Sequence, residues 1–148
     1  MSTVKEMLDI KGRTVRTIGP DESTHRAIEL MSEIKVGALP VLLDDKLVGI
    51  VSERDYARKV ILLDKPPHDI TVSEIMTTDV LTAREETTAD KCMAMMSHHS
   101  IRHLPIVDGP RLVGIIAVGD LLKFVITQQA SMIEALQSYI MDETGGSG

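Results

Sequence analysis

An internal repeat constrains the fold of this chain more than any other feature of its sequence. The stretch Leu47-Val-Gly-Ile-Val-Ser-Glu-Arg-Asp55 returns as Leu112-Val-Gly-Ile-Ile-Ala-Val-Gly-Asp120. Matched residues lie 65 positions apart, and the same offset relates Pro40 to Pro105 without a gap. A unit of this length is too long for a solenoid repeat and too short for an independent large domain, so we expect two small units that pack together.

The order of elements within each unit follows from its hydrophobic pattern. A short strand precedes a helix whose Ala27, Leu30, Met31 and Ile34 recur at helical spacing, and two strands and a second helix follow. We therefore predict an α/β protein with two tandem β-α-β-β-α repeats packed as a pseudo-twofold pair. The predicted strands are residues 15–18, 38–43, 47–51, 104–107 and 112–116.

Segments outside the common register complete the predicted organisation. Thr3 and Thr71 each precede a Glu by three positions, which is a capping-box pattern and predicts a brief helix ending near Leu8 or Met76. Three additional residues near position 12 of the first repeat are expected to lie in a loop. The predicted divisions are repeat 1 over 3–64, a linker over 65–70, repeat 2 over 71–127, a helical extension over 128–142 and a disordered tail over 143–148.

The last helix outruns its counterpart in the first repeat. A nearly continuous apolar stripe runs along residues 118–141, which predicts an extended C-terminal helix. Such a face usually packs on a neighbouring element or on a second subunit.

Composition limits the functional class. The chain has 148 residues, a net charge of −6, 43% hydrophobic residues and one cysteine. The negative charge argues against a general nucleic-acid or membrane-surface binder. The single cysteine and the absence of a signal-peptide layout or an 18-residue apolar run favour a cytoplasmic protein.

The stretch that ends at Asp55 carries the clearest local chemistry. A strand that turns into a helix presents backbone N–H groups that suit a phosphate. Read alone, however, Ser52-x-x-Asp55 is more often only a helix cap. The second repeat has Ala117 in place of the cap hydroxyl and yet keeps Asp120, which favours a binding role for the carboxylate.

With the repeats laid out, residues 3–127 resemble a tandem pair of CBS domains, named after cystathionine β-synthase. Val-x-Thr, Leu-Pro and Leu-Val-Gly-Ile-x-x-x-x-Asp each occur twice at fixed spacing. The family signature is Gly, two apolar residues, Ser or Thr, two further residues and Asp. Residues 49–55 match it fully, whereas Ala117 departs from it. The resemblance implies a regulatory module without a catalytic cofactor, whose cleft binds an adenosine-containing ligand such as AMP, ADP, ATP, NAD or S-adenosylmethionine. It also implies a homodimer.

The resemblance also implies two related ligand sites, each using a signature aspartate for the ribose hydroxyls. Because Ala117 lacks the hydroxyl, we expect the sites to be unequal, with the Asp55 site keeping more of the pattern. The first expected site comprises Ser52, Arg54, Asp55, Thr82, Ile101, Arg102 and His103, and the second comprises Asp120, Thr17, Val36, Gly37 and Ala38, with Pro40 and Pro105 at the adjoining Leu-Pro steps.

The sequence gives less support to metal binding or catalysis. His98 and His99 are adjacent on a predicted helix and should point apart, so no metal site is expected. Cys92 occupies a core position without a visible general base, and no catalytic residues are expected. The main alternative to a ligand sensor is a structural or dimerisation module with degenerate sites.

Overall fold

Two antiparallel β-hairpins form the strands of this protein. The computed structural model describes the backbone of residues 2–145 and the side chains of residues 2–141. Strand β1 (Ala38–Leu43) pairs with β2 (Lys46–Ser52), and β3 (His103–Asp108) pairs with β4 (Arg111–Ala117). The helices are α1 (Val4–Lys11), α2 (Thr24–Ile34), α3 (Glu53–Lys59), α4 (Val72–Ile75), α5 (Ala89–His99) and α6 (Val118–Gly145), with 3-10 turns at Val60–Leu63 and Pro67–Asp69.

The four hairpin strands confirm the prediction to within a residue at each end. Asp44 and Asp45 both adopt a positive φ, at 51° and 62°. Two such residues give a tight turn whose twist matches the strands that it joins. The register is likewise repeated, since Pro40 lies opposite Ile50 and Pro105 lies opposite Ile115.

The first predicted strand of each repeat is reduced to a single bridge. Residues 15–17 form no ladder, and only Ile18 pairs in parallel with Val41. The Ile18 N–H donates to the Pro40 carbonyl at 3.1 Å. In the second repeat Ala83 takes the same place beside β3. The prediction of a strand over residues 15–18 was wrong in extent because most of the segment is exposed or half-buried and has no second strand to pair with.

The short helix that precedes each repeat packs into the core of the other repeat. Leu8 of α1 is fully buried with Ile116 of the second repeat, while Ile75 of α4 is buried with Val51 of the first. The repeats are therefore units of the sequence, whereas each hydrophobic core contains residues from both repeats. The exchanged core residues are Val4, Met7 and Leu8 on one side and Ile70, Val72 and Ile75 on the other.

Backbone hydrogen bonds fix the exchange at equivalent places. The Val4 N–H donates to the Thr87 carbonyl at 2.8 Å, and the Val72 N–H donates to the Glu22 carbonyl at 2.8 Å. Buried backbone groups need such partners, so the two helices are held by polar contacts as well as by packing.

A glycine in each hairpin makes room for the exchanged segment. A Cβ placed on Gly114 would lie 2.9 Å from two methyl carbons of Leu8. A Cβ on Gly49 would lie 2.6 Å from the Met76 sulfur and 3.0 Å from the Thr77 carbonyl oxygen. The glycine of the repeated Leu-Val-Gly-Ile stretch is therefore required by close packing between the repeats.

Helix lengths differ from the expectations at both ends of the chain. Helix α1 continues to Lys11, so part of the predicted loop near position 12 is an additional helical turn. Helix α6 continues to Gly145, which includes three residues assigned to the disordered tail, because a helix already formed extends at little cost. Residues 146–148 of that tail lie outside the described residues.

The C-terminal part of α6 lies outside the two hydrophobic cores. Leu121 and Phe124 are buried, but every residue from 126 to 141 is exposed. None of the helices within residues 2–145 has the length and apolarity needed to cross a bilayer.

We predict that Gly49→Ala lowers the free energy of unfolding by about 1–3 kcal/mol, as overpacking of a filled core does. The Thr77 oxygen cannot retreat easily, because it accepts a 3.0 Å hydrogen bond from the Ile50 N–H. Gly119→Ala is the matched control, since a Cβ there meets nothing within 4 Å. Urea denaturation of both variants measures the effect, and a Gly49→Ala protein as stable as the wild type would contradict it.

Candidate functional site

A cleft of about 990 Å³ lies where the two repeats meet. The end of β2 and the start of α3 form one wall, and the start of β3 forms another. The segment that follows α4, from Thr77 to Leu81, contributes the remaining part of the cleft lining. The residues lining the cleft are Gly37, Ala38, Ile50, Ser52, Glu53, Arg54, Asp55, Thr77, Asp79, Val80, Leu81, His99, Ser100, Ile101, Arg102, His103, Ala117, Val118 and Gly119.

Asp55 and Ser52 form a capping box at the start of α3. One Asp55 oxygen, Oδ2, accepts from the Ser52 N–H and hydroxyl, each at 3.0 Å, and the Ser52 hydroxyl oxygen accepts from the Asp55 N–H at 3.1 Å. The other oxygen, Oδ1, lies 3.1 Å from the Lys59 ammonium. These contacts hold the carboxylate at the cleft wall with 13% of its side chain exposed.

The backbone at the start of α3 is less available to a phosphate than the sequence suggested. The Glu53 N–H donates to the Gly37 carbonyl at 3.0 Å, and the Asp55 N–H is used by Ser52. Within residues 52–55, the described contacts leave only the Arg54 N–H without an acceptor. The start of α3 therefore offers an anion one backbone donor, the Arg54 N–H, beside the Arg54 side chain.

Most residues expected at the first site meet in this cleft. Ser52, Arg54 and Asp55 line the cleft from the first repeat, and Ile101, Arg102 and His103 line it from the second repeat. Thr82 is not among the lining residues. It faces a separate cavity of about 420 Å³ beside β3.

The second expected site is not assembled in the same way. Asp120 is absent from the described cleft lining, and its Oδ2 accepts from the Lys11 ammonium at 2.6 Å and from the Ala117 N–H at 2.8 Å. Thr17 and Val36 are also absent from that lining. The two aspartates of the repeat therefore occupy unequal surroundings.

Gly37 and Ala38, which were expected at the second site, line the cleft on the Asp55 side. The His103 ring covers Gly37 closely, because a Cβ on Gly37 would lie 3.3 Å from the imidazole Cε1. The side of Gly37 on which a Cβ would lie is therefore covered by the His103 ring.

The Leu-Pro steps lie in the first strand of each hairpin. Pro40 and Pro105 are buried within β1 and β3, and neither lines the described cleft. Their carbonyls accept from Ile18 and Ala83, each at 3.1 Å, and so anchor the bridges that replace the first strands.

Several lining residues were missed from the sequence. Asp79, Val80 and Leu81 face the cleft because the chain there is not paired as a strand until Ala83. Glu53 adds a carboxylate beside Arg54. The available signals were that Asp79 directly precedes the second Val-x-Thr, that Val80 and Leu81 belong to it, and that Glu53 lies inside the signature.

His103 lies among charged groups from several elements. Burial lowers the pKa of His103, and the positive charge of Lys11 lowers it further. Arg102 acts in the same direction, while Asp120 and Glu53 oppose it. The ring therefore favours its neutral form.

The remaining candidate groups show no reactive arrangement. Burial raises the pKa of the Cys92 thiol to about 11. The rings of His98 and His99 lie 4.9 Å apart in an edge-on contact, so they do not point apart as predicted. In the described part of the chain, no three His, Cys, Asp or Glu residues are grouped to hold a metal ion.

Comparison with known proteins identifies relatives over most of the chain. The sequence pattern of the CBS domain matches residues 7–62 and 72–127. The CBS domain-containing protein YhcV of Bacillus subtilis is 35% identical over 121 residues, which cover 82% of this chain and 84% of YhcV. A crystal structure of the CBS domain protein NE2398 superposes with a TM-score of 0.83 at 46% identity, covering 85% of this chain and 99% of the other.

A further similar structure contains ligands. The CBS domain pair of protein MJ0100, in complex with 5′-methylthioadenosine and S-adenosyl-L-methionine, superposes with a TM-score of 0.73 at 27% identity. The match covers 86% of this chain and 98% of that structure.

The surroundings of His103 generate a prediction about pH. Because the pKa of His103 lies below its ordinary 6.5 in the folded protein, the unfolded chain takes up this proton first as the pH falls. His103 therefore contributes stability that is present above pH 6.5 and is lost as the pH falls through the folded pKa.

When the pH falls from about 7.5 to about 5.5, the range over which an ordinary histidine titrates, the free energy of unfolding should decrease less in His103→Gln than in the wild type. Urea denaturation across this range measures the difference. His98→Gln, whose side chain is exposed, is the control and should follow the wild type. Identical pH profiles for the wild type and His103→Gln would contradict the prediction.

Proposed function

This chain belongs to the CBS domain family, and on that premise we propose that it is a regulatory module that binds an adenine nucleotide, such as AMP, ATP or NAD, in the cleft beside Asp55. The observation that carries the proposal is the position of Asp55, a nearly buried carboxylate fixed at the wall of a cleft large enough for a nucleotide. The complex of MJ0100 with two adenosine-containing ligands supports the same ligand class.

Asp55 is suited to the ribose. Its carboxylate is pre-oriented by Ser52, so it needs little rearrangement to accept hydrogen bonds from vicinal hydroxyls. Lys59 holds one oxygen from the flank of the same helix, and a hydroxyl can share that oxygen, because each carboxylate oxygen accepts more than one hydrogen bond.

The two arginines are suited to the phosphate. Arg54 and Arg102 come from different repeats and line the same cleft. A guanidinium offers a planar set of donors to phosphate oxygens. Glu53 and Asp79 add negative charge nearby, so the charge distribution favours a ligand whose anionic end lies toward the arginines.

A ligand held by both repeats can act as a signal. It favours whichever relative position of the repeats brings Arg54 and Arg102 to the same phosphate. We propose that this change is passed to a separate partner or to the second subunit of a homodimer, and that the chain itself does not catalyse a reaction.

The exposed part of α6 favours the second candidate, a dimerisation module. Ile126, Ile133 and Leu136 are each more than half exposed on one helix. Both functions can coexist in one protein, so ligand binding has to be tested directly.

Thermal unfolding in the presence of AMP, ATP and NAD tests the proposal. A ligand present at 100 times its dissociation constant stabilises the folded protein by about 2.7 kcal/mol. At least one of the three should therefore raise the midpoint of unfolding. Unchanged midpoints with all three at saturating concentration would leave the dimerisation module as the better account.

The ribose contact makes a sharper prediction. Asp55→Ala should weaken AMP binding roughly tenfold to a hundredfold, which corresponds to the loss of a hydrogen bond to a charged group. It should also abolish the preference for AMP over 2′-deoxy-AMP, because that preference requires the carboxylate. Isothermal titration with both nucleotides measures the two effects.

The matched control is Asp90→Ala. Asp90 likewise occupies the first turn of a capped helix, α5, but does not line the cleft. This variant should keep both the affinity and the 2′-hydroxyl preference. An Asp55→Ala protein that still prefers AMP over 2′-deoxy-AMP would show that the ribose lies elsewhere.

A further inference from the structure

We propose that a cavity between α5 and α6 binds an aliphatic anion, that is, a hydrocarbon chain that ends in a carboxylate or a phosphate. The cavity has a volume of about 400 Å³ and adjoins the 990 Å³ cleft. Small-molecule sites usually have volumes of about 300–1,000 Å³ and combine an apolar lining with a few polar groups. The inference does not depend on nucleotide binding, because the cavity has an apolar lining of its own.

Two helices supply the apolar part of the cavity. On each helix the lining residues recur at positions i, i+3 and i+4, so one stripe of each helix faces the cavity. These residues are Met93, Met96 and Ser97 on α5 and Val118, Leu121 and Leu122 on α6. Met96 and Leu121 are buried, whereas Met93 is 37% exposed and Leu122 is 51% exposed. A hydrocarbon chain in the cavity would remove this exposed apolar surface from water, which favours binding.

Two arginines supply the charge of the cavity. Arg54 of α3 and Arg102, which directly precedes β3, line it, and the described lining contains no acidic residue. Arg13 and Arg26 each pair with a glutamate at 2.7 Å, whereas the ion pairs described within residues 2–141 include neither Arg54 nor Arg102. Two guanidinium groups without a carboxylate partner, in a chain of net charge −6, favour an anionic ligand.

The arginines lie on the side of the cavity that adjoins the cleft. Both of them line the cleft as well as the cavity, whereas Met93, Met96 and Leu121 line the cavity and are absent from the described cleft lining. An anionic group held by the arginines would therefore lie beside the cleft, and its hydrocarbon chain would extend between α5 and α6. This separation of charge from apolar surface fits a ligand with one charged end.

The first repeat does not carry the residues that make this site. At the positions 65 residues earlier, Gly37 stands in place of Arg102 and Tyr56 stands in place of Leu121. Gly37 supplies no cation, and Tyr56 packs a larger side chain against the first core. The inferred site therefore depends on residues that the two repeats do not share.

Equilibrium dialysis with labelled dodecanoate and with labelled dodecyl phosphate tests the inference. The wild type should bind at least one of these probes saturably, with one molecule per chain. Shortening the hydrocarbon chain of the bound probe should weaken binding by about fourfold for each methylene that the cavity buries. No saturable binding of either probe, or an affinity that does not depend on chain length, would overturn the inference.

Replacing both arginines tests the charged end of the site. Arg54→Gln combined with Arg102→Gln should weaken binding of the probe roughly tenfold to a hundredfold, which corresponds to the loss of hydrogen bonds to a charged group. Arg58→Gln is the matched control, because Arg58 is exposed one turn beyond Arg54 in α3 and does not line the cavity. Undiminished binding by the double variant would overturn the inference.

Filling the cavity tests its apolar end. Ser97 is exposed, so Ser97→Phe should place a ring in the cavity without disturbing the core, and it should abolish binding of the probe. Ser32→Phe is the matched control, since Ser32 is the exposed counterpart of Ser97 on α2. Thermal unfolding without probe verifies that each variant is folded. Equal binding by the two variants would show that the probe lies elsewhere.

Two measurements separate this inference from its alternatives. A stable dimer that binds neither probe, and that Ser97→Phe dissociates in size-exclusion chromatography, would assign the cavity to a second copy of the chain and overturn the inference. Saturating AMP should weaken binding of the probe, because the proposed function places the phosphate at the same arginines. Probe binding that depends on the arginines but is unchanged by AMP would contradict the proposed function and leave the inference standing.

Discussion

The exchange of α1 and α4 between the two cores is the constraint on which the rest of the structure depends. Each repeat buries a helix that belongs to the other, and Gly49 and Gly114 permit the close approach. Neither repeat can complete its core alone, so the two must fold as one unit and meet along fixed surfaces. The cleft lies between the start of α3 and the start of β3, so each of its walls is carried by elements that pack on one of these cores.

Pseudo-symmetry gives two related sites, and local differences make them unequal. Ser52 orients Asp55 at the cleft wall, whereas Ala117 offers Asp120 only a backbone donor. Lys11 then occupies Asp120 from a helix that has no equivalent length on the other side. The differences concern a hydroxyl and one helical turn, and of the two aspartates only Asp55 is among the described residues that line the cleft. A duplicated fold can in this way keep its packing while its two sites diverge.

The sequence predicted the elements better than their association. The repeat and the alternating apolar residues located both hairpins, and the Ser52-x-x-Asp55 pattern correctly marked a helix start at the cleft. The exchange of helices could not be predicted, because a sequence repeat gives the same hydrophobic pattern whether Leu8 packs on its own hairpin or on the other one. The Lys11–Asp120 contact joins residues 109 positions apart, and only the three-dimensional arrangement brings them together. The prediction of the first strand in each repeat was wrong for a related reason. Val-x-Thr favours a strand locally, but no neighbouring strand pairs along its whole length.

Hydrogen–deuterium exchange with and without AMP tests most directly whether a nucleotide binds in the cleft between the repeats. Bound AMP should slow exchange in residues 52–55 of one repeat and in residues 99–103 of the other, because these segments supply the facing walls of the cleft. The segment around Lys11 and Asp120 should keep its exchange rates. Protection confined to one repeat, or located at Asp120 and not at Asp55, would contradict the account.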